Sequence, residues 1–141
     1  MLLVPHYVAP SQIHGFGCFS SSNVDKGERI WEFHPLIDRV IHEADLASLP
    51  VHVVKLIRNH AEFIPDENVF RLAADGDFFM NHSNDPNFEL FGNHATARRT
   101  IFIGEEITCD YHFVKVWSFP INEIGRLEIF DQNSSVNQVV K

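Results

Sequence analysis

Residues 78–87 read FFMNHSNDPN and join three large apolar side chains directly to amides, a histidine and an Asp-Pro pair. Apolar runs are typical of buried strands, whereas Asn, Asp and Pro are typical of turns. The Asn side chain offers a donor and an acceptor in one plane, which suits recognition of a purine edge. Asn81 and His82 are therefore either ligand-binding groups held at the edge of a core or the mutually satisfied groups of a turn.

The composition is that of an ordinary globular domain. The chain has 141 residues, of which 45% are hydrophobic and thirteen are Phe. This size predicts one core in a single domain over residues 1–141. No apolar run approaches the ~20 residues of a membrane-spanning helix, and the first residues lack the pattern of a signal peptide. Cys18 and Cys109 lack a CxxC spacing and predict reduced thiols in an intracellular protein, without separating cytoplasm from nucleus.

The charge balance indicates which partners the surface favours. The formal net charge is −8 at neutral pH. Such a surface repels nucleic acid and attracts basic partners. We expect a basic protein or peptide partner, with no direct contact to nucleic acid or to a membrane. The sequence leaves the oligomeric state open between a monomer and a homodimer.

The hydrophobic pattern predicts a mainly β domain with a small helical insert at about 43–63. Before the insert, short alternating segments predict strands, with a hairpin turn at Lys26-Gly27. Within it, apolar residues recur every three or four positions, and Pro50 fits the first turn of a second helix. After it, five segments predict strands: VFRLAA, DFFMNHS, FELFG, ATARRTIFI and EEITCDY. Residues 121–130 are a weak helix candidate, and the polar tail 131–141 is expected to fray.

Two further motifs accompany the Asn-His segment. Gly15-Phe16-Gly17 pairs two glycines around an aromatic residue, and paired glycines let a backbone approach a ligand or adopt positive φ. This segment lacks the third glycine and the following helix of a dinucleotide fingerprint, so a bulged strand or hairpin is the favoured interpretation of this motif alone. Residues 104–111 read GEEITCDY, which by itself suits an ordinary edge strand.

Taken in order, the motifs GFG (15–17), NHSNDPN (81–87) and GEEITCDY (104–111) resemble those of the SET-domain family of protein lysine methyltransferases. The resemblance covers roughly residues 12–113 and leaves the segment 114–141 outside. It implies the SET-domain β-clip fold, with short curled sheets around a helical insert. It also implies that the NHS segment and the segment ending in DY pack together as a pseudoknot.

The resemblance also assigns roles to individual residues. Backbone groups of Gly15, Phe16 and Gly17 would hold the methionine part of S-adenosyl-L-methionine. Asn81 and His82 would grip its adenosine part. The catalytic residue would be Tyr111, where the methyl group passes to the ε-amine of a lysine. Phe33, Leu90 and Tyr111 would line the substrate channel.

Two departures from the family pattern bear on the product and on the closure of the site. Many relatives carry Tyr where this chain has Phe33, which leaves room for a water or an added methyl group and predicts methylation beyond the monomethyl stage. The cysteine-rich segment that often follows the domain is absent. Phe113, Trp117 and Phe119 would close the pocket by stacking or would simply pack in the core.

The nine histidines show no HxH or HExxH spacing, so we expect no metal site. His34, His42, His52, His60 and His112 are expected to be surface or packing residues. The resemblance makes a methyltransferase the leading interpretation. The alternatives are a catalytically weak SET-fold module that binds a basic protein, and an acidic interaction module unrelated to methyl transfer.

Overall fold

Three small sheets make up the described part of the chain. The structure is a computed structural model and describes residues 1–116. The strands in chain order are β1 (His6–Pro10), β2 (Phe16–Ser20), β3 (Arg29–Glu32), β4 (Arg39–His42), β5 (Glu62–Ile64), β6 (Val69–Leu72), β7 (Asn81–His82), β8 (Phe88–Phe91), β9 (His94–Ala97) and β10 (Glu106–Cys109). The strand orders within the sheets are β1-β2-β10-β7, β3-β9-β8 and β4-β6-β5. This arrangement confirms the predicted mainly β fold.

A short helical insert separates β4 from β5, as predicted. It comprises a 3-10 helix, Glu43–Ser48, and one α-helix, α1, Val51–His60. Pro50 lies at the N-cap of α1, one position before the predicted first turn, and its carbonyl accepts from the backbone N–H groups of Val53 and Val54. Leu46, Ile57, Ala61 and Phe70 are buried together and hold the insert against β6. No described helix is long and apolar enough to cross a membrane.

Two local predictions are wrong because long-range pairing overrides them. Gly27 does turn the chain, with φ of +86°, but Val24 pairs with Ile101 and β3 pairs with β9, so no hairpin forms at Lys26-Gly27. The expected strand DFFMNHS is mostly a 3-10 helix, Gly76–Phe79, capped by Asp75, and only Asn81–His82 forms a strand. A hairpin does form between β1 and β2, and the GFG segment follows its turn.

The central strand β10 brings the distant motifs together. It runs antiparallel to β2 and parallel to β7, pairing Thr108 with Asn81 and Cys109 with His82. Asn87 is fully buried and fixes this strand, since its Nδ2 donates to the Glu106 carbonyl (2.8 Å) and its Oδ1 accepts from the Thr108 N–H (2.9 Å). The NHS and DY segments therefore pack together, as the resemblance implied. Trp117, Phe119, the helix candidate at 121–130 and the tail at 131–141 lie outside the described residues.

Candidate active site

The glycine loop between β1 and β2 is held closely against β10. Gly15 adopts φ of +48°, which favours glycine, and its carbonyl accepts from the Ser11 N–H (2.8 Å). A Cβ at Gly17 would lie 2.7 Å from the Glu106 Cδ and 3.1 Å from the Ser11 Cβ. Ser11 Oγ in turn donates to both carboxylate oxygens of Glu106 at 2.9 Å. The position requires glycine because the loop backbone lies directly on this carboxylate.

Asn81 connects the loop to the sheet from the other side. Its buried Nδ2 lies within hydrogen-bonding distance of the carbonyls of His14 and Phe16, both at 3.0 Å, and of Glu106 Oε1 at 2.8 Å, and its two hydrogens are shared among these acceptors. These three acceptors fix the orientation of the amide. The Asn81 Oδ1 accepts no hydrogen bond from a described residue, which leaves it as an acceptor for an amine on a bound ligand.

His82 is held in one tautomer by its neighbours. The backbone N–H of Tyr111 donates to Nδ1 at 3.1 Å, so Nδ1 is an acceptor and the neutral ring carries its proton on Nε2. That Nε2–H donates to Asn84 Oδ1 at 2.9 Å. The ring also contacts the Tyr111 ring, with centroids 5.5 Å apart. His82 thereby fixes the chain at the point where Tyr111 leaves β10.

Tyr111 presents a protonated phenol. Its hydroxyl donates to the Met80 carbonyl at 2.6 Å. Burial raises the pKa of Tyr111 well above its usual value, and the nearby Cys109, Asp77 and Glu106 act in the same direction. Tyr111 is therefore neutral at physiological pH, which suits it to orient an amine and makes it a poor base.

Beneath Tyr111 lies a cavity of about 60 Å³. Its apolar walls include Met80, Phe88, Leu90 and Cys109. Burial raises the pKa of the Cys109 thiol well above its usual range, so this group stays uncharged. A second, more open pocket of about 210 Å³ shares Leu90 with the first and is lined in part by Phe113.

The polar wall of the same cavity contains Asp77, Asp38 and the ion pair of Glu62 with Arg71. Arg71 is buried, donates from Nε to Glu62 at 2.8 Å and also donates to Asn93 and Gly92. Burial raises the pKa of Asp77 to about 7. The charge of Asp75 acts in the same direction, while the N-terminal amine opposes it. This carboxyl titrates near neutral pH beside Tyr111.

The structure brings most of the predicted site residues together around β10. Gly15, Gly17, Asn81 and His82 form one contiguous region, and Tyr111 with Leu90 lines the adjoining cavity. The Phe16 ring is 56% exposed and meets the Phe79 ring edge to face. Phe33 is the exception, because it packs against the core and is not among the residues that line the cavity.

Phe33 lies 5.7 Å from the guanidinium carbon of Arg71 and is not among the cavity-lining residues. Arg71 also lies over Trp31, at 5.3 Å from the ring centroid. Arg71 therefore lines the cavity and contacts Phe33, which does not line it.

Sequence reasoning missed Asp77, Trp31 and Asp38 in the cavity. In the sequence, Asp77 belongs only to the predicted strand DFFMNHS, and the other two residues belong to no motif. His60 also lines the cavity; burial lowers its pKa, and its ring stacks on Phe78 at 4.1 Å between centroids.

His82, Asp110 and His112 form a grouping that their spacing does not indicate. Potential ligand atoms of the three lie within 4.8 Å of one another. Asp110 Oδ1 accepts from the His112 N–H at 2.9 Å, and His82 is engaged by Tyr111 and Asn84. These hydrogen bonds account for the grouping, and the expectation of no metal site stays a prediction.

Comparison with known proteins gives one family and a set of similar folds. The SET domain family matches residues 15–112. A chain of the humanized mutant of the Chaetomium thermophilum Polycomb Repressive Complex 2, bound to the inhibitor GSK126, is similar with a TM-score of 0.58 and 20% identity. That match covers 77% of this chain and 15% of the other. No curated protein matches the chain.

A Plasmodium falciparum protein described as a candidate histone methyltransferase is similar with a TM-score of 0.55 and 22% identity. That match covers 78% of this chain and 95% of the other. Both likenesses show the fold. The family match extends from the glycine loop through Tyr111 and so contains both sides of the site described above. The chain belongs to the SET domain family.

Proposed function

We propose that the protein is an S-adenosyl-L-methionine-dependent protein lysine N-methyltransferase. The observation that carries the proposal is the position of Tyr111. Its ring contacts His82 in the glycine-loop region, while its side chain lines the cavity on the other side. A methyl donor held at the loop and an amine held in the cavity would meet beside this phenol.

The glycine-loop region fits the cofactor by its donor and acceptor set. Backbone groups of Gly15, Phe16 and Gly17 would hold the methionine part, and Asn81 with His82 would hold the adenosine part. The unpartnered Oδ1 of Asn81 matches the amines that this cofactor carries. When bound, S-adenosyl-L-methionine supplies a methyl group on a sulfonium.

The cavity walls would align and desolvate the lysine. A free lysine has a pKa near ~10.4, so roughly one in a thousand is uncharged at neutral pH, equivalent to about 4 kcal/mol. An apolar channel past Leu90 and Tyr111 disfavours the ammonium. The Tyr111 oxygen, whose proton goes to Met80, can accept from the amine and orient its lone pair.

A basic protein is the substrate class that the charge favours. The net charge of −8 suits a basic peptide laid across the surface, and histones or histone-like proteins are such substrates. The similar Plasmodium falciparum protein is described as a candidate histone methyltransferase, which agrees with this choice. An intracellular location follows if the substrate is a protein of this class.

A peptide-array methylation assay with methyl-labelled cofactor tests the proposal. We expect label on lysines in basic peptides, and its loss in the Tyr111→Phe variant run beside it. Mass spectrometry of the product then gives the number of methyl groups. Binding of the cofactor without label on any basic peptide would favour the alternative of a catalytically weak binding module, and failure to bind the cofactor would contradict both.

A further inference from the structure

Two histidines lie at the two ends of a row of aromatic rings beside the glycine loop. The row consists of Phe16, Phe79 and Phe78, whose neighbouring rings meet edge to face with centroids 6.4 and 5.1 Å apart. His60, the last residue of α1, stacks on Phe78 with centroids 4.1 Å apart. His14 is exposed in the loop, two residues before Phe16. The row therefore connects the loop to the end of α1.

The contact of His60 with Phe78 fixes the tautomer of its ring. Nδ1 lies 3.2 Å from the Phe78 carbonyl, which only accepts, so Nδ1 carries the proton of the neutral ring. Burial lowers the pKa of His60; the bond to the Phe78 carbonyl opposes this effect, and the charge of His14 reinforces it. Nε2 has no hydrogen-bond partner among the described residues, so it can take up a proton when an anion lies beside it.

His14 is the basic side chain of the glycine loop. Its carbonyl accepts from Asn81 at 3.0 Å, and its backbone N–H donates to Ser11 Oγ at 3.4 Å. These bonds hold the backbone, while the imidazole has no hydrogen-bond partner in the described part of the chain. Because its charge acts on the pKa of His60, the two imidazoles lie within electrostatic reach of each other. The fold thus brings two basic groups together from distant segments.

The other basic side chains near this place are already engaged. Arg58 on α1 pairs with Glu43, and Arg71 in the cavity pairs with Glu62. Both ring nitrogens of His82 are used in hydrogen bonds. The two histidines at the ends of the aromatic row are therefore the basic groups that remain for an anion at the glycine loop.

The methionine part of the proposed cofactor carries such an anion. It consists of a short apolar chain with one ammonium and one carboxylate. The apolar chain suits the aromatic row, and the ammonium suits the carbonyls of the loop. The carboxylate needs a charged donor, especially beside the carboxylate of Glu106, which lies against the same loop.

We propose that His14 and His60, in their protonated forms, bind the carboxylate of S-adenosyl-L-methionine, so that the cofactor binds together with a proton. This inference rests on the proposed function. Nε2 of His60 takes the proton from solvent and donates an N–H···O bond to the carboxylate, and His14 adds a second positive charge from the loop. No covalent bond of the cofactor changes. Affinity for the cofactor falls as pH rises through the range in which imidazoles titrate.

Other titratable groups also surround the two histidines. Arg58 lies on the same helix as His60, and Glu106 lies beside the loop that carries His14. The ionisable residues that line the cavity together with His60 are Asp38, Glu62, Arg71, Asp77, Cys109 and Tyr111. Of these, Asp77 also titrates in the neutral range, because burial and Asp75 raise its pKa to about 7. The share of the histidines in any pH dependence is therefore measured by difference from variants that lack them.

Calorimetric titration with S-adenosyl-L-methionine tests the pair without any methyl transfer. We expect an affinity roughly fivefold higher at pH 5.5 than at pH 7.5, about the size of a partly exposed charge pair. Titration in buffers of different ionisation enthalpy should show net uptake of a proton. The double variant His14→Gln/His60→Gln should lose most of both effects, and the matched surface variant His52→Gln on α1 should keep them.

Decarboxylated S-adenosylmethionine is the matched ligand control, since it keeps the amine and the sulfonium and lacks the carboxylate. It should bind equally well to the wild type and to the double variant. NMR gives the same test for one residue: S-adenosyl-L-methionine at pH 7 should move the His60 ring signals toward the protonated form, and the decarboxylated ligand should not. An equal pH dependence of cofactor affinity in the wild type and the double variant would overturn the proposal.

The outcomes separate this inference from the proposed function. A wild type that binds no S-adenosyl-L-methionine at either pH contradicts both. A wild type that binds it and methylates lysine peptides, but takes up no proton, contradicts the histidine pair and leaves the methyltransferase intact. Proton uptake on binding without methyl transfer to any lysine peptide supports the pair and contradicts the proposed function. Should the double variant fail to fold, His60 signals of the wild type that stay unchanged on cofactor addition decide against the pair.

Discussion

Two regions meet at Tyr111 and use their polar groups in opposite ways. In the glycine-loop region, Ser11, Asn81 and Glu106 direct their polar atoms into internal hydrogen bonds. In the cavity, Asp38 keeps one buried carboxylate oxygen without a partner among the described residues, and Asp77 carries a raised pKa. The first region fixes its backbone and leaves one acceptor, Asn81 Oδ1, for a ligand, whereas the second contains a cavity with a buried carboxyl of raised pKa.

The contrast shows how one small fold places a rigid hydrogen-bonded region beside a cavity that can take part in a reaction. A satisfied network gains stability and fixes backbone positions within the loop. Unsatisfied buried groups and a raised carboxyl pKa cost stability, and such costs concentrate at functional sites. The predictions below test each side of this contrast, beginning with the residue that both sides share.

The largest effect is expected for Tyr111→Phe. The variant loses the hydroxyl that contacts Met80 and that would orient the amine. We expect single-turnover methyl transfer to fall by roughly 10²–10³-fold, comparable to the loss of one preorganised polar group in other active sites. Cofactor affinity should change little. Full turnover in this variant would mean that Tyr111 only supports the fold.

Asn81→Ala should weaken the glycine-loop region most. It leaves the carbonyls of His14 and Phe16 and one Glu106 oxygen without their shared donor. We expect a loss of about 2–4 kcal/mol in the free energy of unfolding, together with weaker cofactor binding.

The matched control for this change is Asn84→Ala, which removes one hydrogen bond to His82 and should cost under about 1 kcal/mol. Urea denaturation and calorimetric titration of the cofactor measure both variants. Similar losses for the two variants would show that the Asn81 network has no special role.

The Asp77→Asn variant should gain stability relative to the wild type as pH rises. Because burial and Asp75 raise the pKa of Asp77 to about 7, the folded state keeps a proton that the unfolded chain releases near pH 4. The stabilising contribution of protonated Asp77 is complete below pH ~4 and is lost as pH rises to about 7. The variant lacks this loss. The difference in free energy of unfolding between variant and wild type should therefore be about 2–4 kcal/mol more favourable to the variant at pH 8 than at pH 4. Denaturation at both pH values measures it, and a pH-independent difference would contradict the raised pKa.

The smallest effects are expected at the glycines. Gly17→Ala would press a methyl group against Glu106 and Ser11 and should cost about 1–3 kcal/mol. At Gly15 there is open space, so Gly15→Ala should cost only the positive-φ strain of about 1 kcal/mol. Thermal denaturation measures the stability of both variants. A larger loss of stability in Gly15→Ala than in Gly17→Ala would contradict the close packing described at Gly17.

The sequence predicted the site residues that belong to continuous motifs. The glycine loop, Asn81-His82 and Tyr111 were predictable because each motif is continuous and their order resembles one family. The helical insert followed from its change of period. These features depend on local sequence, and β10 then joins them through pairing that the motif order implied.

The cavity was not predictable in the same way. Trp31, Asp38 and Asp77 lie on different elements, and nothing in their spacing brings them together. Burial, which raises the pKa of Asp77, is a property of the packed chain. The failed hairpin at Lys26-Gly27 has a similar cause, since Val24 pairs with Ile101 across a long stretch of sequence. Local signals could not anticipate either outcome.

A two-step NMR titration tests the separation of the two regions most directly. Saturation with S-adenosyl-L-methionine should give its largest shifts at the amides of Gly15 and Gly17 and at the Asn81 side chain. Later addition of n-butylammonium, an analogue of the lysine side chain, should then move the indole signal of Trp31 most, because Trp31 lines the cavity. Cofactor shifts centred on Trp31, or n-butylammonium shifts centred on the glycine loop, would contradict the account.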